Sequence, residues 1–198
     1  MMYQFDTNWD GEVIAESKTD GFESYLGNRF PASDIPPQAR DLYTRNLIRL
    51  ISDVEAEPAP ILAQPGYTPA NGLDLTHSAL RHFSPVHLQY LRNMGVRASM
   101  SISLCQNNRL WGLIACHHSQ PMHMPFRIQE LDEFIGKTVS LKLSNIAHER
   151  KIEFGDRIRN LLNNLTWQIR KHSDIDLAVH EYQNELLGLV HASGAIIS

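Results

Sequence analysis

Ala98-Ser99-Met100-Ser101-Ile102-Ser103-Leu104-Cys105, then Asn107-Asn108, then Leu110-Trp111-Gly112-Leu113-Ile114-Ala115-Cys116 is the stretch that decides the fold. Two β-rich runs flank a pair of asparagines that can take positive φ, so the segment reads as a hairpin inside a sheet. Upstream, Gly11-Glu12-Val13-Ile14-Ala15-Glu16 is a further strand candidate. It pairs with Met1–Phe5 through Asn8-Trp9-Asp10-Gly11, where Asp-Gly is a strong hairpin signal. The opening Met1-Met2-Tyr3-Gln4-Phe5 is apolar from its first residue and looks like mid-strand, as in a chain that lacks its true N-terminus.

Between these strand regions, Pro31, Pro36 and Pro37 forbid a regular helix, because each fixes φ and pushes its predecessor towards extended geometry. Gln38 to Leu47 then reads as a helix with Leu42 on its buried side. Ala56 to Asn71 is a Pro-rich loop, and Leu75 to Leu91 reads as one or two helical pieces interrupted at Pro85. The last third is helical. Ile128, Leu131, Ile135, Val139, Leu143 and Ile146 recur at three and four, and Ile158 to Ile169 continue the pattern past Gly155, enough for one long helix. Asp174 to Leu189 is another helix candidate, and residues 194–198 begin a strand. The order implies an α+β fold: a central antiparallel sheet flanked by helices, a long connecting helix, and the first elements of a second domain.

The 198 residues carry a formal charge of −4, with 42% hydrophobic and 20% charged residues. Such a chain buries a real core and is not disordered. No apolar run approaches the ~18 residues of a membrane span, and no leader opens the chain, which reads as soluble and cytoplasmic. The acidic balance argues against a nucleic-acid surface. Two cysteines make no disulfide framework. Cys116 reads as a buried small hydrophobe and Cys105, beside the Asn-Asn turn, as exposed.

For the Pro31-to-Pro37 bend two readings stand open. It is either a ligand-binding turn that aims Asp34 and its carbonyl at a cationic or N–H-bearing ligand, or a surface turn with a solvated Asp. Ser99, Ser101 and Ser103 share one strand face, and with Arg49 and Arg81 they suit carboxylate groups; an ordinary solvated face with ion pairs is the alternative. His117 and His118 point to opposite faces, and no His-x-x-x-His or Cys-x-x-Cys spacing favours a metal. No nucleophile elbow, P-loop or dinucleotide fingerprint supports catalysis.

Tyr3-Gln4-Phe5-Asp6, Gly11–Glu16, Pro31-Ala32-Ser33-Asp34-Ile35-Pro36, Leu91-Arg92-Asn93-Met94-Gly95-Val96, Ser99–Ser103 and Leu110–His118 occur in this order. Together they resemble the chromophore-binding GAF domain of phytochromes, bilin-binding red/far-red photoreceptors. The likeness divides the chain into a GAF domain at 1–146, without its first helix, and a connecting helix with the start of a PHY domain at 147–198. It implies that the Asp34 carbonyl accepts from pyrrole N–H groups while its carboxylate reaches towards the PHY domain. His87 would sit over the inner pyrroles and help keep the bilin cationic. Arg49 and Arg81 would pair with the propionates, helped by Ser99 and Ser101. His117 would bond the D-ring carbonyl, while Tyr3, Tyr25, Phe30 and Tyr90 line the D-ring pocket. Ile35 and Pro36 would pack on the tetrapyrrole, and Ser84 completes the set.

One departure is informative. Plant and cyanobacterial members carry the attachment cysteine immediately before the residue matching His87, and here that position is Val86. The pattern resembles bacteriophytochromes, in which biliverdin attaches upstream of the PAS domain. The expected cofactor is therefore biliverdin or another linear tetrapyrrole, with no attachment cysteine in this chain. The expected partners are PAS and output regions, the latter usually a histidine kinase, and a second copy in a homodimer. A GAF-type small-molecule or dimerisation module that does not bind bilin is the competing expectation.

Overall fold

A computed structural model describes residues 1–62, 66, 73–79, 81–172 and 175–194. The chain divides into two compact units, Met1–Leu143 and Ser144–Ser198.

The first unit is organised by the hairpin. Strands β5 (Ala98–Gln106) and β6 (Arg109–His118) pair antiparallel. Asn107 and Asn108 both sit at positive φ, 51° and 59°, the backbone pair that a two-residue turn needs to match strand twist. Around them stand β1 (Met2–Phe5), β2 (Gly11–Ala15), β3 (Arg29–Phe30) and β4 (Ile48–Ile51) in one six-stranded sheet of order β3-β2-β1-β6-β5-β4. The turn from β1 to β2 differs from the sequence reading. Its left-handed residue is Trp9, φ 72°, and not the glycine of Asp10-Gly11. The Asp6 carboxylate accepts from the N–H groups of Asn8 and Asp10, and this local bonding holds the turn.

Register sorts the side chains, because residues directly opposite one another share a face. One face carries Ile51, Ser99 and His117 in a row, then Arg49, Ser101 and Ala115, then Ser103, Leu113, Tyr3 and Val13. The other carries Leu50, Met100 and Cys116, then Ile48, Ile102 and Ile114.

Helices α1 (Pro37–Arg45) and α2 (Pro85–Asn93) cover the first face. Each has proline at its start, where the missing N–H costs nothing. Tyr43 of α1 packs with Leu110 and Leu113, and Leu88 and Leu91 of α2 pack with Ile51, Val54 and Val96. Each buried leucine contributes roughly 1.5–3 kcal/mol. The buried residue of α1 is therefore Tyr43, not Leu42, which is only half-buried. The end of α2 is closed at Gly95, φ 68°: its N–H donates to the Arg92 carbonyl and the Val96 N–H to the Leu91 carbonyl. That left-handed cap suits glycine, and it folds Val96 back onto Leu91. No helix precedes Pro85 among the described residues of 75–84: Ser84 is extended at ψ 130°, as a residue before proline must be. Most of the Pro-rich loop lies outside the described residues.

The long helix α3 (Phe126–His172) is continuous through Gly155, as the periodicity implies. Within the first unit it covers the second sheet face. The Ser140 hydroxyl accepts from the Cys105 N–H at 3.0 Å, and a Cβ on Gly136 would lie 2.5 Å from Ile102. In the second unit, Leu161 and Ala178 are buried, and the Gln168 amide donates to Glu181 at 2.7 Å. Asp174–Leu189 is not one helix: α4 (Ile175–Glu181) and α5 (Gln183–Leu189) are separated at Tyr182, whose φ of −103° is not helical. The strand read at 194–198 lies, except for Gly194, outside the described residues. No described helix is long and apolar enough to cross a membrane.

Candidate functional site

The candidate site lies on the first sheet face, beneath α2. Arg49, on edge strand β4, stands opposite Ser101, and Ser99 stands opposite His117. The Arg49 guanidinium lies 5.2 Å from the Tyr43 ring centre and 5.8 Å from that of Phe83. Burial, and then the charge of Arg49, hold the Arg81 pKa below its ordinary value. Among the described residues, neither arginine enters an ion pair. Ser103, the third serine of the stripe, is 2% exposed, and its hydroxyl has no hydrogen-bond partner.

The histidines form the middle of the site. His87 stacks on Tyr90 one helical turn away, with ring centres 6.4 Å apart. Burial, and then Arg49, lower the His87 pKa. His117 is pushed down to about 4, by burial first and then by the Met1 amino group and His87. At neutral pH His117 is thus a neutral imidazole, with one N–H to donate and one nitrogen to accept. His118 points away, as the strand period dictates, and its Nδ1 lies 2.9 Å from the Gln120 carbonyl oxygen.

An aromatic cluster closes the other end. Tyr3 and Phe30 meet edge to face at 5.5 Å, and Tyr25 lies 6.4 Å from Phe30. Burial, then Tyr90, Tyr25 and Asp34, raise the Tyr3 pKa well above the usual phenol range. Tyr90 is raised by burial and by Asp34, while a hydrogen bond with Tyr3 pulls the other way. Asp34, exposed in a 3-10 turn, Ala32–Asp34, lies within electrostatic reach of this cluster. Two carboxylates set the loops that carry these groups. Asp10 accepts from the Ala32 N–H at 2.9 Å, and Glu16 accepts from the Tyr25 N–H and the Ser24 hydroxyl.

Thus Tyr3, Tyr25, Phe30, Asp34, Arg49, Arg81, His87, Tyr90, Ser99, Ser101 and His117 converge on one region. Ile35 packs into the core cluster of Tyr43, Leu110 and Leu113, and Pro36 begins α1. Ser84 stands apart: it is exposed at the start of α2, with no side-chain bond to the helix. Val86 is 80% exposed, beside an open cleft of about 500 Å³ lined by Pro85, Gln89, Tyr90 and Asn93. A smaller cavity of about 270 Å³, between Trp9 and Trp111 at the hairpin tip, is a separate feature. The cysteine expectations are reversed. Cys116 is exposed, because it stands on the opposite face near the end of the strand, and Cys105 is half-buried. Among the described residues, no cluster of His, Cys, Asp or Glu could hold a metal. Tyr43 and Phe83 escaped the sequence reading. Tyr43 could have been found from its four-residue spacing after Ala39; nothing local marks Phe83.

Residues 3–145 match the GAF domain model, and the chain belongs to the GAF domain family. Among its relatives, cyanobacterial phytochrome B of Nostoc sp. is 43% identical over 199 residues, covering 100% of this chain and 26% of that protein. A bacteriophytochrome structure from R. palustris superimposes with a TM-score of 0.85 at 36% identity, covering 98% of this chain and 39% of that one. The photosensory core module of a Stigmatella aurantiaca phytochrome gives 0.84 at 40% identity, over 98% and 38%. The chain spans about a quarter of the length of the curated relatives it matches over its whole length.

Proposed function

We infer that this chain is the bilin-binding part of a red/far-red photoreceptor of the bacteriophytochrome kind. The observation that carries this reading is the convergence of arginines without an ion pair among the described residues, strand serines, two histidines made less basic by burial and a tyrosine–aspartate cluster on one sheet face. This donor set fits an elongated, dianionic, multi-ring ligand with N–H groups and carbonyls, and biliverdin is such a ligand. Arg49 and Arg81 would hold its propionates, with hydroxyl help from Ser99 and Ser101. His87 would face the inner pyrroles, where an imidazole can share a proton. His117, neutral at pH 7, would donate to the D-ring carbonyl, and Tyr3, Tyr25, Phe30 and Tyr90 would enclose that ring.

When bound, the bilin supplies a light-driven isomerisation of the double bond between its C and D rings. The chain's part is to hold one isomer tightly and tolerate the other. His117 would exchange its hydrogen bond, and the Tyr3–Tyr90–Asp34 group would repack. A packed pocket with two arrangements can pass a small shift onwards. Asp34 would pass the shift out of the pocket, and residues 147–198 are read as the connecting helix and the start of a PHY domain. PAS and output regions, the latter a histidine kinase, would belong to the full-length protein, which would act as a homodimer. Val86 leaves His87 without a neighbouring thiol, so binding within this chain is non-covalent.

The test is an absorption spectrum of the chain mixed with biliverdin, before and after red light. A red band that bleaches reversibly supports the reading. If no red band forms, here or in an N-terminally extended chain, the GAF domain serves another ligand or a dimer contact.

A further inference from the structure

The cationic end of the site shows an arrangement that its expected ligand does not explain. An arginine on an edge strand has many rotamers and loses them on binding a carboxylate. Arg49 is already flanked by two rings, Tyr43 from α1 and Phe83 from the segment leading into α2. Phe83 is itself anchored, packed against the cluster of Ile51, Val54, Leu88, Leu91 and Val96. Four residues further on, the same segment carries His87, whose ring stacks on Tyr90. Ring faces attract the guanidinium through their quadrupole but do not use up its five N–H donors, which stay free for an anion.

We propose that Phe83 is a positioning residue: it pins the Arg49 guanidinium against Tyr43 and so makes the pocket selective for a bilin with free carboxylates. The proposal rests on the bilin reading above, and it assigns the role to a residue outside the expected contact set. Phe83 does not touch the reacting ring. It acts through Arg49, and because only Ser84 separates it from α2 it fixes the arginine relative to His87.

The test compares biliverdin with its dimethyl ester, which has the same rings but no carboxylates, by titrating the red absorption band of the full chain. The unaltered chain should bind the diacid at least about tenfold more tightly than the ester. Phe83→Leu keeps an apolar anchor but removes the ring, and it should shrink that ratio about fivefold by weakening the diacid alone. Pentafluorophenylalanine at position 83 keeps the ring and reverses its quadrupole, and it should do the same even if Phe83→Leu folds poorly. Equal weakening of both ligands, or an unchanged ratio in the fluorinated chain, overturns the proposal. A red band with no preference for the diacid overturns it too while leaving the bilin reading intact. No red band with either ligand overturns both.

Discussion

The same strands present two different chemistries on their two faces. Residues 99, 101, 103 and 117 put hydroxyls and an imidazole on one side, whereas residues 100, 102, 104 and 114 put Met, Ile and Leu on the other. The second face is closed by α3 at near-contact distance, so closely that Gly136 has no room for a Cβ beside Ile102. The first face is covered by two short helices and buries the Ser103 hydroxyl, which has no partner among the described residues. Such groups cost free energy unless something bonds to them. Both faces therefore carry apolar packing, but only the first also places a row of hydroxyls and an imidazole under its helices, where a ligand can bond to them.

This contrast can be broken experimentally. The largest effect should come from Leu104→Ala, since Leu104 is 0% exposed on the packed face. It should lower unfolding free energy by about 3 kcal/mol in urea, while the red band of any bilin complex keeps its position. A shifted band would show that the two faces are not independent.

A smaller effect should come from pH. The folded chain holds His117 neutral down to about pH 4, whereas an unfolded histidine takes up its proton near 6.5. The unfolded state then binds more protons within that window. Stability should be level above about pH 6.5 and fall as pH drops towards 4, with His87 adding in the same direction. His117→Gln should flatten the slope, as read by denaturation midpoints at stepped pH. An unchanged slope would assign the loss to other groups.

The smallest effect should come from Ser103→Ala. Removing a buried hydroxyl without a partner should leave the ligand-free chain equally stable, or more stable by up to about 1 kcal/mol. The same change should weaken bilin binding if that hydroxyl serves the ligand. A clear loss of ligand-free stability would show that the hydroxyl is already satisfied, for instance by a buried water.

Much of this contrast was legible in the sequence, because a strand's side-chain period of two writes both faces into one string. Ser-x-Ser-x-Ser interleaved with Met-x-Ile-x-Leu declares a polar face and an apolar one. The Asn-Asn turn and the long α3 periodicity were equally readable, for their signals are local. The short strands β3 and β4 were not, since two and four residues carry too little pattern, yet β4 brings in Arg49. Leu42 is the most apolar residue of α1, but the sequence does not say which side of that helix meets the sheet, and the structure buries Tyr43 instead. The strand's composition marks Cys116 as buried but says nothing of where its cover ends, and the structure leaves it exposed.

By itself the sequence determined the hairpin, the long helix, the proline-bounded bend and the family likeness, all of which depend on neighbours within a few positions or on motifs of fixed spacing. Only the tertiary structure decided that Arg49 lies near the rings of both Tyr43 and Phe83, that Tyr3 and Tyr90 come together within electrostatic reach of Asp34, and that His117 stays neutral. Those facts depend on strand order and on the helices laid across one face. Burial and the proximity of charges are properties of distances between residues far apart in the chain, and no local pattern encodes them.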